Sequence, residues 1–300
     1  MSVDQPAARS PAGLALLLSL PPLFWAGNFI VGRAMSGTVP PVTLSFLRWV
    51  IALLCLLPFA LRPLRRDWRL YWHYRWRVLG LSIVGVAAFN TLVYTGLQST
   101  TATNGILLNS FIPILIALLG WLFYGQALRR PQALGLLLSF CGVLTIVLHG
   151  DWSRLLGLSF GRGDLIVFSA MVCWAVYTLW LRAIPAGIDR TGLLAVQMAL
   201  ALLALLPLWL WERHGGALPV WTASSLLALA YIGIFPSVLA YLLYNWGVAQ
   251  AGAARAGLFI HLMPLFGVLL SAVLLDEQPQ PYQVVGMAAI LAGIALSGRR

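Results

Sequence analysis

Apolar residues in this chain come in long unbroken runs, and polar residues collect where the runs stop. Ten runs are predicted as helices, over 13–36, 41–61, 76–97, 101–125, 131–149, 163–183, 191–211, 221–248, 253–275 and 280–298. Each has about 20–28 residues, enough at about 1.5 Å per residue to cross a hydrocarbon core of about 30 Å. The breaks carry helix-stopping residues such as Pro40-Pro41, Arg129-Arg130-Pro131 and Gly215-Gly216. The first run, from Gly13 to about Met35, is too long for the apolar core of a signal peptide and suits a spanning helix. The pattern predicts an all-α membrane protein with ten transmembrane helices.

The runs repeat. Trp25-Ala26 matches Trp174-Ala175, Arg33 matches Arg182 and Pro58 matches Pro207, all 149 residues apart. Gly85 matches Gly233 at 148. Beyond a short insertion, Gly96 matches Gly247, Pro113 matches Pro264, Gly135 matches Gly286 and Gly142 matches Gly293, all at 151. So long a series in nearly constant register is expected of a duplication, with a first five-helix unit over 1–150 and a second over 151–300. Five is odd, so the second unit is expected to enter the membrane inverted. Two inverted repeats around a central cavity are the architecture of secondary transporters.

Composition agrees with this reading. The chain is 61% hydrophobic and 9% charged, with a mean hydropathy of +0.89, where soluble domains are about one-quarter charged. The net charge is +11 and every basic residue is arginine. Such a charge in a soluble protein would suggest nucleic acid. Here most arginines lie between apolar runs, so topology explains them and no nucleic-acid partner is expected. Arg62, Arg65, Arg66, Arg69, Arg75 and Arg77 crowd one loop, and Arg9, Arg129, Arg130, Arg182, Arg190, Arg255, Arg299 and Arg300 fall on the same side. That bias predicts cytoplasmic termini in a bacterial-type inner membrane. Cys55, Cys141 and Cys173 sit inside apolar runs without metal-binding spacing. No metal or cofactor is expected, and no arrangement of nucleophile and base suggests an enzyme.

Several motifs carry a family resemblance. They are Trp25 to Phe29, Pro41 to Trp49, the central Pro264, and the stretch from Leu274 through Gly286 ahead of a glycine-rich last helix. With these the chain resembles the drug/metabolite transporter superfamily, and within it the EamA-type ten-helix exporters and aromatic amino acid exporters of the YddG type. The resemblance covers nearly the whole chain and implies export of small metabolites. One departure is Gln126, where the family pattern has an acidic residue that the second repeat retains as Glu277.

Polar residues deep in a membrane helix are costly and tend to face the bundle interior. Those expected to line the substrate cavity are Trp25, Asn28, Asn90, Tyr94, Asn109, Ser110, Trp174, Tyr177, Tyr241, Asn245 and His261. Asn90 and Tyr94, like Tyr241 and Asn245, are i and i+4 and share a helix face. The repeat pairs Trp25 with Trp174, Asn28 with Tyr177, Asn90 with Tyr241, Tyr94 with Asn245 and Ser110 with His261. Pro113 and Pro264 are also paired, and are expected to be hinges of alternating access. Arg48 lies about eight residues from one end of its run and is expected to reach the interface by snorkelling. The fifth and tenth helices read as packing helices, which could support a dimer as readily as a monomer.

All eight acidic residues fall in loops or at helix ends. That disfavours a cationic-drug site built on a membrane carboxylate, and the lack of lysine disfavours a phosphate clamp. A neutral or zwitterionic, partly apolar solute such as an amino acid fits best. A multidrug or other metabolite exporter of the same fold, and a receptor without transport, are the alternatives. His261 is the only deep group that titrates near neutrality, so it is the one candidate for proton coupling.

Overall fold

A computed structural model describes residues 11–155, 161–185, 187–216, 218–274 and 278–298. Among them every regular element is helical. Ten helices follow in order: α1 Pro11–Ala34, α2 Pro41–His73, α3 Arg75–Leu97, α4 Asn104–Tyr124, α5 Arg130–Val147, α6 Arg162–Arg182, α7 Arg190–His214, α8 Ala223–Ala251, α9 Ala253–Leu270 and α10 Pro281–Ser297. Nine of these are long and apolar enough to cross a membrane, and α10 is a shorter apolar helix. Glu277 and the stretch around it lie outside the described residues.

Leu54, Phe59, Leu203, Trp211 and Leu227 are exposed on the outside. Asn28, Asn90, Asn245 and His261 are buried inside. Large apolar side chains thus cover the outside as well as the core, as a hydrocarbon solvent allows, and the few polar groups of the spans turn inward.

One helix departs from the sequence expectation, and two are interrupted at the paired prolines. The arginine-rich stretch 62–73 is not a loop: α2 runs through Pro63 to His73. Its last three turns carry exposed Trp68 and Trp72 beside arginines, a composition suited to the membrane interface. α4 breaks at Ser110-Phe111, just before Pro113, and α9 tightens into a 3₁₀ turn over Phe259–His261, just before Pro264. In each case the proline lacks a backbone donor, and the ladder fails on its N-terminal side.

α3 and α8 each contain a π-helical stretch, Ser82–Ala88 and Phe235–Leu239. The register between the repeats grows from 148 to 151 between the pairs Gly85/Gly233 and Asn90/Tyr241. The extra turn in α8 therefore falls around its π segment.

Carboxylates finish the helix ends. Glu212, on the last turn of α7, accepts the amides of Val42 and Thr43 at 3.0 and 2.7 Å, where the first turn of α2 has no partner of its own. Asp189 caps α7 by accepting from the amides of Thr191 and Gly192. Asp164 accepts from Thr100, from Asn104 at 3.1 Å and from the Gly161 amide at 2.8 Å, tying α6 to the head of α4.

α5 and α10 cross with backbone against backbone. A Cβ at Gly142 would lie 2.6 Å from the Gly286 carbonyl oxygen, and one at Gly286 would lie 2.7 Å from that of Gly142. Gly135 faces Gly293 in the same way. Small residues allow this approach, and neither helix can move aside without losing the whole seam. Gly142→Leu should therefore destabilise the protein by about 1–3 kcal/mol, read as a lower thermal unfolding midpoint in detergent.

Candidate functional site

Helices α1, α2, α3, α6, α7 and α8 converge on a buried polar and aromatic cluster. The two π segments create much of its framework, because a π turn leaves carbonyls aimed away from the ladder. Trp25 Nε1 donates to the Pro236 carbonyl at 3.1 Å, and Trp49 Nε1 donates to that of Val86 at 3.1 Å. Tyr241 donates to the Gly85 carbonyl at 2.8 Å, and Asn90 Nδ2 also reaches Val86 at 3.2 Å.

Within this frame lie two related triads. In one, Tyr94 donates to Asn28 Oδ1 at 2.7 Å and both groups bond Arg48. In the other, Tyr177 donates to Asn245 Oδ1 at 2.9 Å and reaches Gln197 Oε1 at 3.4 Å. Asn28 corresponds to Tyr177, Tyr94 to Asn245 and Arg48 to Gln197, so the second triad exchanges tyrosine for amide and glutamine for arginine. Two corresponding pairs touch directly. Asn90 Nδ2 donates to the Tyr241 hydroxyl at 2.9 Å. The rings of Trp25 and Trp174 meet edge-on, with centroids 5.0 Å apart.

Beside Asn28 of the first triad is a cavity of ≈ 10 Å³, lined by Trp25, Asn28, Phe89, Asn90, Asn109 and Trp174 and closed by Phe29, Ile112 and Ile260. Space on this scale holds about one water. The described conformation is therefore closed around its centre, with polar side chains packed on one another. Tyr94, Tyr177, Tyr241 and Asn245 form the surrounding shell, while Asn109 donates to Met263 Sδ at 3.0 Å.

A second space, ≈ 570 Å³, opens at the end where α4, α6 and α10 finish. Arg129, Arg182, Arg255 and Ile116 are among its walls, and Arg182 donates to Gln126 Oε1 at 2.6 Å. Ile116 packs against Gly257, where a Cβ would come within 2.5 Å of the isoleucine Cδ1. Ile112, one turn away at about 6 Å along the helix, already lines the central cavity. The plug between the two spaces is thus a single turn, immediately beside Pro113.

Two sequence expectations change here. Arg48 does not snorkel: it is 0% exposed, and Ser237, Asn90, Asn28 and Tyr94 hold its guanidinium. Distance from the helix end does not tell which face the residue occupies, and α8 covers this face. Of the residues expected in the cavity, Tyr94, Ser110, Tyr177, Tyr241, Asn245 and His261 are not among its walls. His261 turns toward α5, with Nδ1 2.7 Å from Ser139 Oγ and Nε2 2.9 Å from the Ser110 carbonyl. A carbonyl only accepts, so Nε2 carries the proton and the Ser139 hydroxyl serves Nδ1. The imidazole is satisfied at both nitrogens and bridges the break in α4 to α5. Sequence reasoning passed over Ser237 and Tyr244, the latter 2.9 Å from Thr178 Oγ1. The register change at the α8 π segment was the one available signal for Ser237.

The comparisons with known proteins agree with this architecture. The model of the EamA-like transporter family matches the chain twice, over residues 13–148 and 161–299. An uncharacterized transporter of Archaeoglobus fulgidus is 32% identical over 285 residues, which is 94% of this chain and 96% of that one. The uncharacterized transporter YyaM of Bacillus subtilis is 29% identical over 71% of this chain and 70% of its own length. A probable terminal-alkyne amino-acid exporter of Streptantibioticus cattleyicolor is 26% identical over 72% of this chain and 70% of its own. A crystal structure with 22% identity superposes with a TM-score of 0.74, covering 96% of this chain and 97% of that one, a likeness of fold.

With both ring nitrogens engaged, His261→Ala should lower stability by about 1–3 kcal/mol while leaving solute affinity within about two-fold. Thermal unfolding and ligand titration of the same detergent sample measure the two effects.

Proposed function

The chain belongs to the EamA-like transporter family, and on that footing we propose that it exports amino acids or closely related amphipathic metabolites by alternating access. The observation that carries this reading is the central cavity. Trp25, Phe89 and Trp174 offer aromatic faces there, and Asn28, Asn90 and Asn109 offer amides. Amides bond the ammonium and carboxylate of a zwitterion, while ring faces accept an apolar side chain or an ammonium. Aromatic amino acids, the solutes of the YddG type that the motifs resemble, match those walls in kind. One relative, a probable terminal-alkyne amino-acid exporter, supports the same class.

In the proposed cycle the halves 1–150 and 151–300 act as inverted repeats and exchange conformations around the cavity. The double family match and the exchanged triads Asn28–Tyr94 and Tyr177–Asn245 support that arrangement. The cavity is too small for an amino acid as described, so binding requires the helices to part. The one-turn plug of Ile112 and Ile116 beside Pro113, with Gly257 opposite, is the proposed gate toward the arginine-lined vestibule. The arginine bias puts that vestibule and both termini on the cytoplasmic face of a bacterial-type inner membrane. The contacts of His261 with Ser139 and Ser110 are structural, and facilitated export is the proposed mode.

Counterflow in proteoliposomes tests the function. Labelled phenylalanine should accumulate against an excess of unlabelled neutral amino acid, at a rate unchanged by an imposed pH gradient. A flux that follows the gradient would reinstate proton coupling, and no flux of any neutral amino acid would sink the substrate class. Pro113→Ala and Pro264→Ala should each slow counterflow about ten-fold or more, equivalent to at least about 1.4 kcal/mol on the limiting barrier. Unchanged rates in both would dismiss the hinges.

A further inference from the structure

The centre of the bundle holds a charge that no described residue neutralises. Arg48 is fully buried, yet its guanidinium meets only neutral groups: Nε donates to Ser237 Oγ at 2.8 Å, and Nη1 serves Asn90 Oδ1 at 2.6 Å, Asn28 Oδ1 at 3.4 Å and the Tyr94 hydroxyl. The rings of Trp49 and Tyr94 lie 4.9 and 5.6 Å from its Cζ. Among the described residues no carboxylate comes within ion-pair distance, the ion pairs there being those of Arg66 with Asp67 and Asp189. Nη2 is buried without any hydrogen-bond partner. An arginine inside a bilayer protein is normally paired or faces a pathway, and an unpaired buried ion is among the costliest groups to retain.

The groups left open around it share its character. Gln197 Nε2 and Asn245 Nδ2 are also buried without partners, and Trp174 Nε1 has only the Tyr244 hydroxyl beside it. Arg48 and Trp174 can only donate, whichever way the two amides are turned. Trp174 lines the cavity, as do Asn28 and Asn90, the two amides that Arg48 serves. A cluster with surplus donors and one net positive charge calls for an acceptor-rich anion. A single guanidinium matches one carboxylate, whereas a phosphate would want further cations.

We propose that Arg48 is the anion-recognition residue of the transport site and that the transported solute carries a carboxylate. This rests on the transport reading above and narrows it. The carboxylate enters beside Asn28, whose 3.4 Å contact with Nη1 is the longest that Arg48 makes. It takes Nη1 and the open Nη2 as a two-pronged pair and releases the Asn28 amide. Gln197, at the corresponding place in the second half, is neutral, so the two triads present different chemistry to a solute. The solute is thereby oriented, with its other end toward the rings of Trp174 and Tyr177.

The test uses the full chain and four probes: phenylalanine, 3-phenylpropionate, phenethylamine and phenylalaninamide. Binding is followed by intrinsic fluorescence, since Trp25, Trp49 and Trp174 adjoin the site, and flux is followed in liposomes. The two carboxylates should bind at least about 10-fold more tightly than the two probes without one. Arg48→Gln should erase that difference, and Arg48→Lys should keep part of it. An Arg48 that served only packing would weaken all four probes alike. Should Arg48→Gln fail to fold, the comparison of probes on the parent protein decides alone. Equal binding of phenethylamine and 3-phenylpropionate to the parent, or discrimination surviving in Arg48→Gln, overturns the proposal. Flux of phenethylamine without flux of phenylalanine would leave transport standing and overturn the carboxylate site. Carboxylate-selective binding without flux of any probe would sustain the site and overturn transport.

Discussion

A backbone carbonyl released from a helix inside a bilayer has no water to turn to. The centre of this protein is organised around that constraint. The π segments of α3 and α8 and the breaks in α4 and α9 each release carbonyls, and a side chain from another helix meets several of them. Trp25 crosses from α1 to Pro236, Tyr241 from α8 to Gly85, Trp49 from α2 to Val86, and His261 from α9 to Ser110. An irregular backbone thus becomes the means by which helices are joined. Lengthening either π segment or straightening either break would break those links, which is why the irregularities and the polar residues come together.

The same constraint made much of the cluster legible in the sequence. An asparagine or tyrosine in the middle of an apolar run has few tolerable places. The spacing of Asn90 and Tyr94, and of Tyr241 and Asn245, already put each pair on one face. Repeat register then joined Trp25 to Trp174 and Asn90 to Tyr241, and both pairs are in direct contact. What stayed hidden depended on tertiary packing. Arg48 could be counted from its helix end, but whether that face met lipid or α8 could not. Ser139 lies on the fifth helix, which the sequence assigns to packing, and only the fold reveals that it holds His261. The helical continuation of α2 past Pro63 was masked by its arginines, which read as a loop although arginine is a good helix former.

The near-equivalence of the halves bears on how the centre works. The bond from Tyr94 to Asn28 and the bond from Tyr177 to Asn245 lie at corresponding positions with the partners exchanged. Under the proposed exchange of halves, such equivalent contacts favour two arrangements of similar energy, because what one half gives up the other can take on. Alternation between two states needs that balance, since a large gap would trap the protein in one of them.

Balance of the frame does not extend to its chemistry. Ser110 faces His261 and Arg48 has Gln197 as counterpart, so each corresponding pair combines a titratable or charged residue with a neutral one. For His261 the difference is absorbed locally: the ring fills the gap in α4, while the smaller serine bonds its own Leu107 carbonyl. For Arg48 it is not absorbed, since no described group supplies the opposite charge and Nη2 stays open. An asymmetry that packing settles is structural. One that packing leaves unsettled, one hydrogen bond away from the cavity walls Asn28 and Asn90, is where the proposed pair of halves would distinguish one end of a solute from the other.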